Sequence, residues 1–488
     1  MVGFIQRLET RKGAVSLKPI YKPFTTPKGY YIYDRNSNTL LNVTGNEYDA
    51  LSDVTHDRHK EVLQAFQDKG YCLPGKLRKI QHPDYPMLEY HLKNSIAQLT
   101  MQITQSCNLF CSYCSYSGLY NNRTHANKHM SYETMCKCVD FVMMHSRDLE
   151  RITLGFYGGE PLLALDNIME CVEYVRENYP ERNVFYTLTT NGTQFTDECA
   201  TFLQDNNFSV LISLDGPAFI HDQHRKFADG TGSFDTVMKA VEYLKEYFPA
   251  LYKKISFNTV VSPGKDYKCI KDFFDAETVF KDSTTRTAMV NTLGTNEEIS
   301  YDDAFFITYR REMMKLLLYS LGFLSLKSVS KMFYSEWIGL EHQRKQFDTY
   351  MEMPEVAHHG GPCLPGARRL FVDVNGNFYP CERVSETSSA TQIGHIDTGF
   401  DIDKARKVLN IGELTVDECL GCWNLIYCGI CAAHADNETG LDKDTKLRSC
   451  AAMRATTLIT MKTLCLLKEM GVNMEEVKLY EEVGSVPV

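Results

Sequence analysis

The chain has no long uncharged apolar run of about 18 residues, the length that would cross a bilayer. Its opening stretch, Met1-Val-Gly-Phe-Ile-Gln-Arg-Leu-Glu-Thr-Arg-Lys, also lacks the apolar segment of a secretion signal. A soluble, cytoplasmic protein with no membrane partner is expected. Basic charge is scarce too: 52 Lys and Arg stand against 62 Asp and Glu, a net charge of −10. That balance argues against an enzyme that holds nucleic acid by neutralising phosphates. Residues 1–80 are the exception, with 13 basic and 8 acidic side chains, a local excess suited to an acidic partner. Cysteine, by contrast, is plentiful, at 17 in 488 residues. In a chain read as unsecreted, so many cysteines point to metal ligands and buried thiols rather than to disulfides. The length implies two or three domains, and a hydrophobic fraction of 43% supplies ample core.

Three cysteines, Cys107, Cys111 and Cys114, follow the β-like run Gln98 to Thr104 at the spacing C-x3-C-x2-C. Thiolates are soft ligands for iron–sulfur clusters or zinc, and three on one loop leave one metal position without a cysteine. Structural cysteines in a turn, or three ligands of a zinc site, are the plainer readings. Around this loop strands and helices alternate, with strands expected at Leu99–Thr104, Ile152–Tyr157, Val184–Thr190, Ser209–Leu214, Ile255–Val261 and Thr287–Thr292. Such alternation predicts a parallel sheet whose reactive side lies at the strand C-termini. Motifs sit at those ends: Tyr157-Gly158-Gly159-Glu160-Pro161, Thr189-Thr190-Asn191-Gly192 and Ser213-Leu214-Asp215-Gly216. Taken singly, each is an ordinary turn former.

Together with Tyr113 just before the last cysteine of the triad, these motifs resemble the radical S-adenosylmethionine (radical SAM) superfamily. The resemblance implies a partial (β/α)6 barrel in which Cys107, Cys111 and Cys114 hold a [4Fe–4S] cluster. Gly158, Gly159, Glu160 and Pro161 would then meet the methionyl amine of SAM, with Glu160 accepting from its ammonium group. Thr190, Asn191, Ser213 and Asp215 fall where the family contacts ribose and carboxylate. Arg225 is a candidate for a forked contact to the SAM carboxylate, and Tyr113 and Asn258 are further cofactor candidates.

The last third is cysteine-rich: Cys363-x12-Gly376-x4-Cys381, then Cys419-x2-Cys422-x5-Cys428-x2-Cys431, and Cys450. Zinc ribbons would use such pairs. The order resembles the SPASM domain of peptide-modifying radical SAM enzymes, which holds two auxiliary [4Fe–4S] clusters, although x2 stands here where that family has x3. Carried over, Cys363, Cys381 and Cys431 hold the first auxiliary cluster, and Cys419, Cys422, Cys428 and Cys450 the second. No cysteine stands shortly before Cys363, so the first would have an open iron, or one held by His358 or His359. A substrate cysteine on that iron, with Glu382 taking the thiol proton, would favour thioether chemistry. The seven other cysteines, Cys72, Cys136, Cys138, Cys171, Cys199, Cys269 and Cys465, read mostly as core residues.

The expected layout is a winged-helix-like peptide-recognition module at 1–80, a polar linker at 81–95 and the barrel at 96–300. A helical bridge at 301–355, the SPASM domain at 356–452 and a C-terminal helix and tail at 453–488 complete it. The module rests on a strand, an Asn/Ser-rich turn, a second strand and two short helices from Tyr21 to Tyr71. It resembles the element by which peptide maturases pair a leader peptide with a strand edge. The whole resembles enzymes that install thioether crosslinks in leader-bearing precursor peptides, served by an electron donor such as flavodoxin or ferredoxin. Formylglycine formation of the sulfatase-maturing type, carbon–carbon crosslinking, and a non-catalytic electron-transfer protein are the alternatives.

Overall fold

The computed structural model describes residues 18–479 apart from 118, 121–124, 263–266, 282 and 297. The first seventeen residues of the expected recognition module and the tail from 480 onward lie outside the described residues. Tyr21–Thr25 (β1), Tyr30–Asp34 (β2) and Thr39–Val43 (β3) form an antiparallel sheet. β1 was not expected, because Pro23 interrupts it; it pairs on one side only among the described residues, where a missing N–H is tolerated. The two expected helices follow at Gly45–Ser52 and His59–Asp68. Thr44 and Glu47 open the first with a reciprocal capping box. Ile32, Val43, Leu51, Val62 and Phe66 give this unit its own small core, and Lys79–Ile80 (β4) ends it.

The unit is not free-standing. Tyr33 packs against Phe347, Trp423 and Tyr427. Arg35 is buried and donates from Nη1 to the carbonyls of Leu420 (2.7 Å) and Cys422 (3.2 Å), inside the C-terminal cysteine segment. Arg35→Met would strand both carbonyls, and each unmet buried group costs about 1–3 kcal/mol. A lower unfolding temperature and poorer iron retention are therefore expected in the reconstituted variant. Unchanged values for both would mean that the two segments are independent.

Six parallel strands come next: Gln98–Thr104 (β5), Arg151–Gly158 (β6), Asn183–Thr190 (β7), Ser209–Ser213 (β8), Ile255–Val261 (β9) and Thr284–Met289 (β10). They hydrogen-bond in chain order, with helices in the crossovers that parallel pairing requires. The sixth begins earlier than the expected Thr287, because the β-branched run already starts at Thr284.

The sheet continues past β5. Beyond Val356–Ala357 (β11), which pairs with β4, Leu370–Val372 (β12) adds in parallel to the other side of β5. Asn377–Tyr379 (β13), Gly394–His395 (β14) and Gly399–Phe400 (β15) extend it antiparallel to ten strands. The C-terminal segment is thus built onto the parallel sheet.

The expected linker is folded rather than loose. The helix Leu88–Asn94 buries Leu88 and Leu92, an i,i+4 pair that the surrounding prolines and charges mask in the sequence. In the bridge, helices Asp303–Ser320 and Tyr334–Phe347 place Phe305, Leu316, Trp337 and Phe347 in the main core. The stretch Lys443–Glu469 is long and apolar enough to cross a membrane by length and composition alone. In the fold its Met461, Leu464, Cys465 and Leu467 are buried, and Glu469 accepts from Thr26 and Tyr31 of the N-terminal sheet at 2.7 Å each.

Candidate active site

After β5 the chain turns through Cys107, Cys111 and Cys114. Burial pushes the Cys107 thiol up to about 12 and the Cys111 thiol up to about 11. Sulfurs in such a place become anionic only when donors and positive charge surround them. Both are present. The Leu109 amide (3.4 Å) and Asn191 Nδ2 (3.9 Å) donate to Cys107, the Tyr116 amide to Cys114 (3.5 Å), and Arg225 Nη1 to Cys111 (4.0 Å). Against the upward push of burial, His125 and the Tyr116 amide bring Cys114 below its ordinary value. Every thiol of the loop therefore has a donor, the setting an anionic iron–sulfur cluster needs. Among the described residues no three His, Cys, Asp or Glu side chains converge on a single metal ion.

The end of β6 is pressed onto this loop. The Gly159 and Glu160 amides donate to the carbonyls of Thr104 and Ser106, both at 2.8 Å. A Cβ on Gly158 would lie 2.0 Å from the Thr104 oxygen, and one on Gly159 2.1 Å from the Ser106 oxygen. The glycines, expected to admit a ligand, admit the backbone of the cysteine loop. Glu160, expected to accept from an ammonium, is fully buried, and burial pushes its carboxyl up to about 7. Its oxygens accept from Thr190 Oγ1 (2.7 Å), the Asn191 amide (2.6 Å) and the Leu162 amide (3.0 Å). It therefore locks β6 to β7, with Pro161 opening the next turn where no N–H is needed.

A second clamp closes the other side. Arg225, expected to fork onto SAM, forks onto Asp215 at 2.9 and 3.2 Å. Tyr113 donates to the same carboxylate and lies 5.4 Å under the guanidinium. Burial opposes ionisation of Asp215, but Arg225 holds its carboxyl below the usual range. Charged groups buried at strand ends must be paired, and here the partner is protein. Asn191 is likewise engaged, to Asn108 Oδ1 at 2.8 Å. Of the expected contacts, Ser213 and Asn258, in register across β8 and β9 on the less buried face, stay exposed enough to meet a ligand. Sequence reading missed Asn108, His125 and the link of Tyr116 and Gln102 to Glu386 (3.0 and 3.2 Å). Proximity to the cysteines was the only signal for the first two, and nothing marked the last.

The C-terminal thiols divide into two groups. Cys428 is raised to about 11, chiefly by burial, with further pushes from Cys422, Cys419 and Cys450. Cys431, three residues on, instead neighbours Cys363 and Cys381, which like it are partly accessible or exposed. Cys381 packs on a small core of Phe371, Tyr379 and Val384 that Tyr157, the residue before Gly158, also joins. Glu382, expected as a base, is paired with Arg369 at 2.8 Å. His358 is engaged at both ring nitrogens, by the His359 carbonyl (2.9 Å) and the Gly412 amide (2.8 Å), and so is not a metal ligand. His359 lines the cavity of the other cysteine group. Of the seven cysteines outside these sets, five are buried, as expected of core residues.

Residues 101–276 match the family profile of the Radical SAM superfamily, and the chain carries a radical SAM domain. It shares ancestry with anaerobic sulfatase-maturating enzymes: it is 33% identical over 174 residues to the cysteine-type enzyme of Clostridium novyi (35% of this chain, 45% of that one). The serine-type enzyme of Bacteroides thetaiotaomicron is 34% identical over 143 residues (29% and 34%). The radical SAM cyclopropyl synthase TigE of Paramaledivibacter caminithermalis is 23% identical over 243 residues (47% and 49%). The matched stretches span less than half of each of these relatives. The fold is that of native anSMEcpe with bound AdoMet, at a TM-score of 0.56 and 21% identity, over 78% of this chain and 100% of that one.

Proposed function

We propose that this chain is a radical SAM maturase that joins a cysteine sulfur to a carbon in a leader-bearing precursor peptide. A [4Fe–4S] cluster with SAM, held by Cys107, Cys111 and Cys114, would supply the 5′-deoxyadenosyl radical that takes hydrogen from an unactivated carbon. The two clamps keep the loop in place, and Ser213 and Asn258 would meet the cofactor. An electron donor of flavodoxin or ferredoxin type would serve it, and the C-terminal groups would hold two auxiliary clusters in a SPASM-type domain.

The observation that carries the thioether reading is the group of Cys363, Cys381 and Cys431. Three thiols leave a metal position open, His358 is occupied, and His359 belongs to the other group. That position suits a substrate thiol, which would be held deprotonated for bond formation. The N-terminal sheet supports a peptide substrate: among the described residues β1 and β3 each pair on one side only, leaving edges for a leader strand. The second reading, formylglycine formation, is favoured by the identity to cysteine-type sulfatase-maturating enzymes.

Mass spectrometry of a cysteine-containing precursor separates the two. A thioether keeps the sulfur and removes a hydrogen pair for each bond, whereas formylglycine formation expels the sulfur. Thioether product with a leader-bearing peptide, and little without the leader, is the expected result. Sulfur loss, or equal turnover of leaderless peptide, would overturn the proposal.

A further inference from the structure

The four thiols of Cys419, Cys422, Cys428 and Cys450 line a cavity of about 300 Å³ whose wall also carries His359 and Lys446. Both are 1% exposed. Neither ring nitrogen of His359 has a hydrogen-bond partner. Whichever of the two carries a proton, that N–H has no protein acceptor. Leaving a buried polar group unmet is unfavourable by about 1–3 kcal/mol, so a buried imidazole with two unmet nitrogens beside a cavity points to an acceptor inside it. Lys446 poses the same question for charge. Its Nζ donates to Thr415 Oγ1 (2.6 Å) and lies 4.0 Å from Cys419 Sγ. Glu418, on the same wall, pairs with Lys443 instead, at 2.6 Å. Burial works against a charge on Lys446, and the groups that oppose this most are the sulfurs of Cys419, Cys428 and Cys450, ahead of Glu418.

We propose that Lys446 and His359 set the reduction potential of the cluster held by Cys419, Cys422, Cys428 and Cys450, Lys446 as buried counter-charge and His359 as hydrogen-bond donor to a cluster sulfur. This rests on the reading that the cavity holds a [4Fe–4S] cluster. Reduction adds a negative charge inside a cavity of low dielectric, where a fixed cation and an aimed N–H both stabilise it. Both residues therefore raise the potential. A full charge outweighs a bond dipole, so Lys446 has the larger effect.

The test is an EPR-monitored reductive titration of the anaerobically reconstituted full chain. The relevant signal is the one that Cys422→Ala removes together with its iron. Lys446→Met is expected to move that midpoint to more negative potential, His359→Leu to move it less in the same direction, and Lys446→Arg to hold it near the wild-type value. After exchange into heavy water, the wild-type reduced signal should show, beyond the coupling of the Lys446 ammonium beside Cys419, a further deuteron coupling that His359→Leu lacks. Unmoved midpoints in loaded Lys446→Met and His359→Leu would overturn the proposal. If Lys446→Met does not fold, a His359→Leu variant with unchanged midpoint and undiminished wild-type deuteron coupling overturns it as well. A Cys422→Ala variant that keeps every signal and all its iron would instead remove the underlying cluster assignment, and the proposal with it.

Discussion

Replacing Cys107, Cys111 and Cys114 together by alanine is expected to abolish 5′-deoxyadenosine formation while most of the iron remains. These thiols share one loop, and donors from five residues point at their sulfurs: Leu109, Asn191, Arg225, His125 and Tyr116. Alanine removes every soft ligand of the loop. On the proposal of three clusters of about four irons each, iron should fall from about twelve to about eight per chain. The loop is pinned by backbone bonds from Gly159 and Glu160, so the fold should survive. Anaerobic assay with dithionite and SAM reads the product, and colorimetric iron analysis the loading. Undiminished 5′-deoxyadenosine from the triple variant would remove the catalytic assignment.

Gly159→Ala is expected to lower SAM cleavage by about a hundredfold or more, an effect as large as many losses of a reacting group. The added methyl would sit 2.1 Å from the Ser106 oxygen and 2.5 Å from its carbonyl carbon. The obstruction is backbone, so no rotamer relieves it. The loop must move, and displacement of reacting groups by about 1 Å can cost about a hundredfold. Gly339→Ala is the control: Gly339 lies exposed in the helix Tyr334–Phe347 with nothing within 4 Å of an added Cβ. There alanine should stabilise by about 0.5–1 kcal/mol and leave cleavage unchanged. Wild-type cleavage by Gly159→Ala would mean that the contact between β6 and the cysteine loop does not position the chemistry.

Local pattern carried much of this protein. Cysteine spacing, the alternation of strand and helix, and the motifs at successive strand ends marked the loop, the parallel sheet and the rim where those motifs lie. These features were legible because each is encoded within a few residues: a strand by its apolar run, a ligand loop by its thiols. Roles that depend on a distant partner were not. Glu160, Asp215 and Arg225 stand where the sequence put them, yet they serve as buried clamps, because their partners come from neighbouring strands and loops. In the same way, β12 extending β5, Arg35 reaching the carbonyl of Cys422, and His359 facing the second cysteine cavity rather than the first were decided by packing alone. The sequence by itself determined which chemistry the chain carries ligands for. The tertiary structure decided which charged side chains hold the scaffold together, since burial forces them to pair across segments that no local periodicity connects.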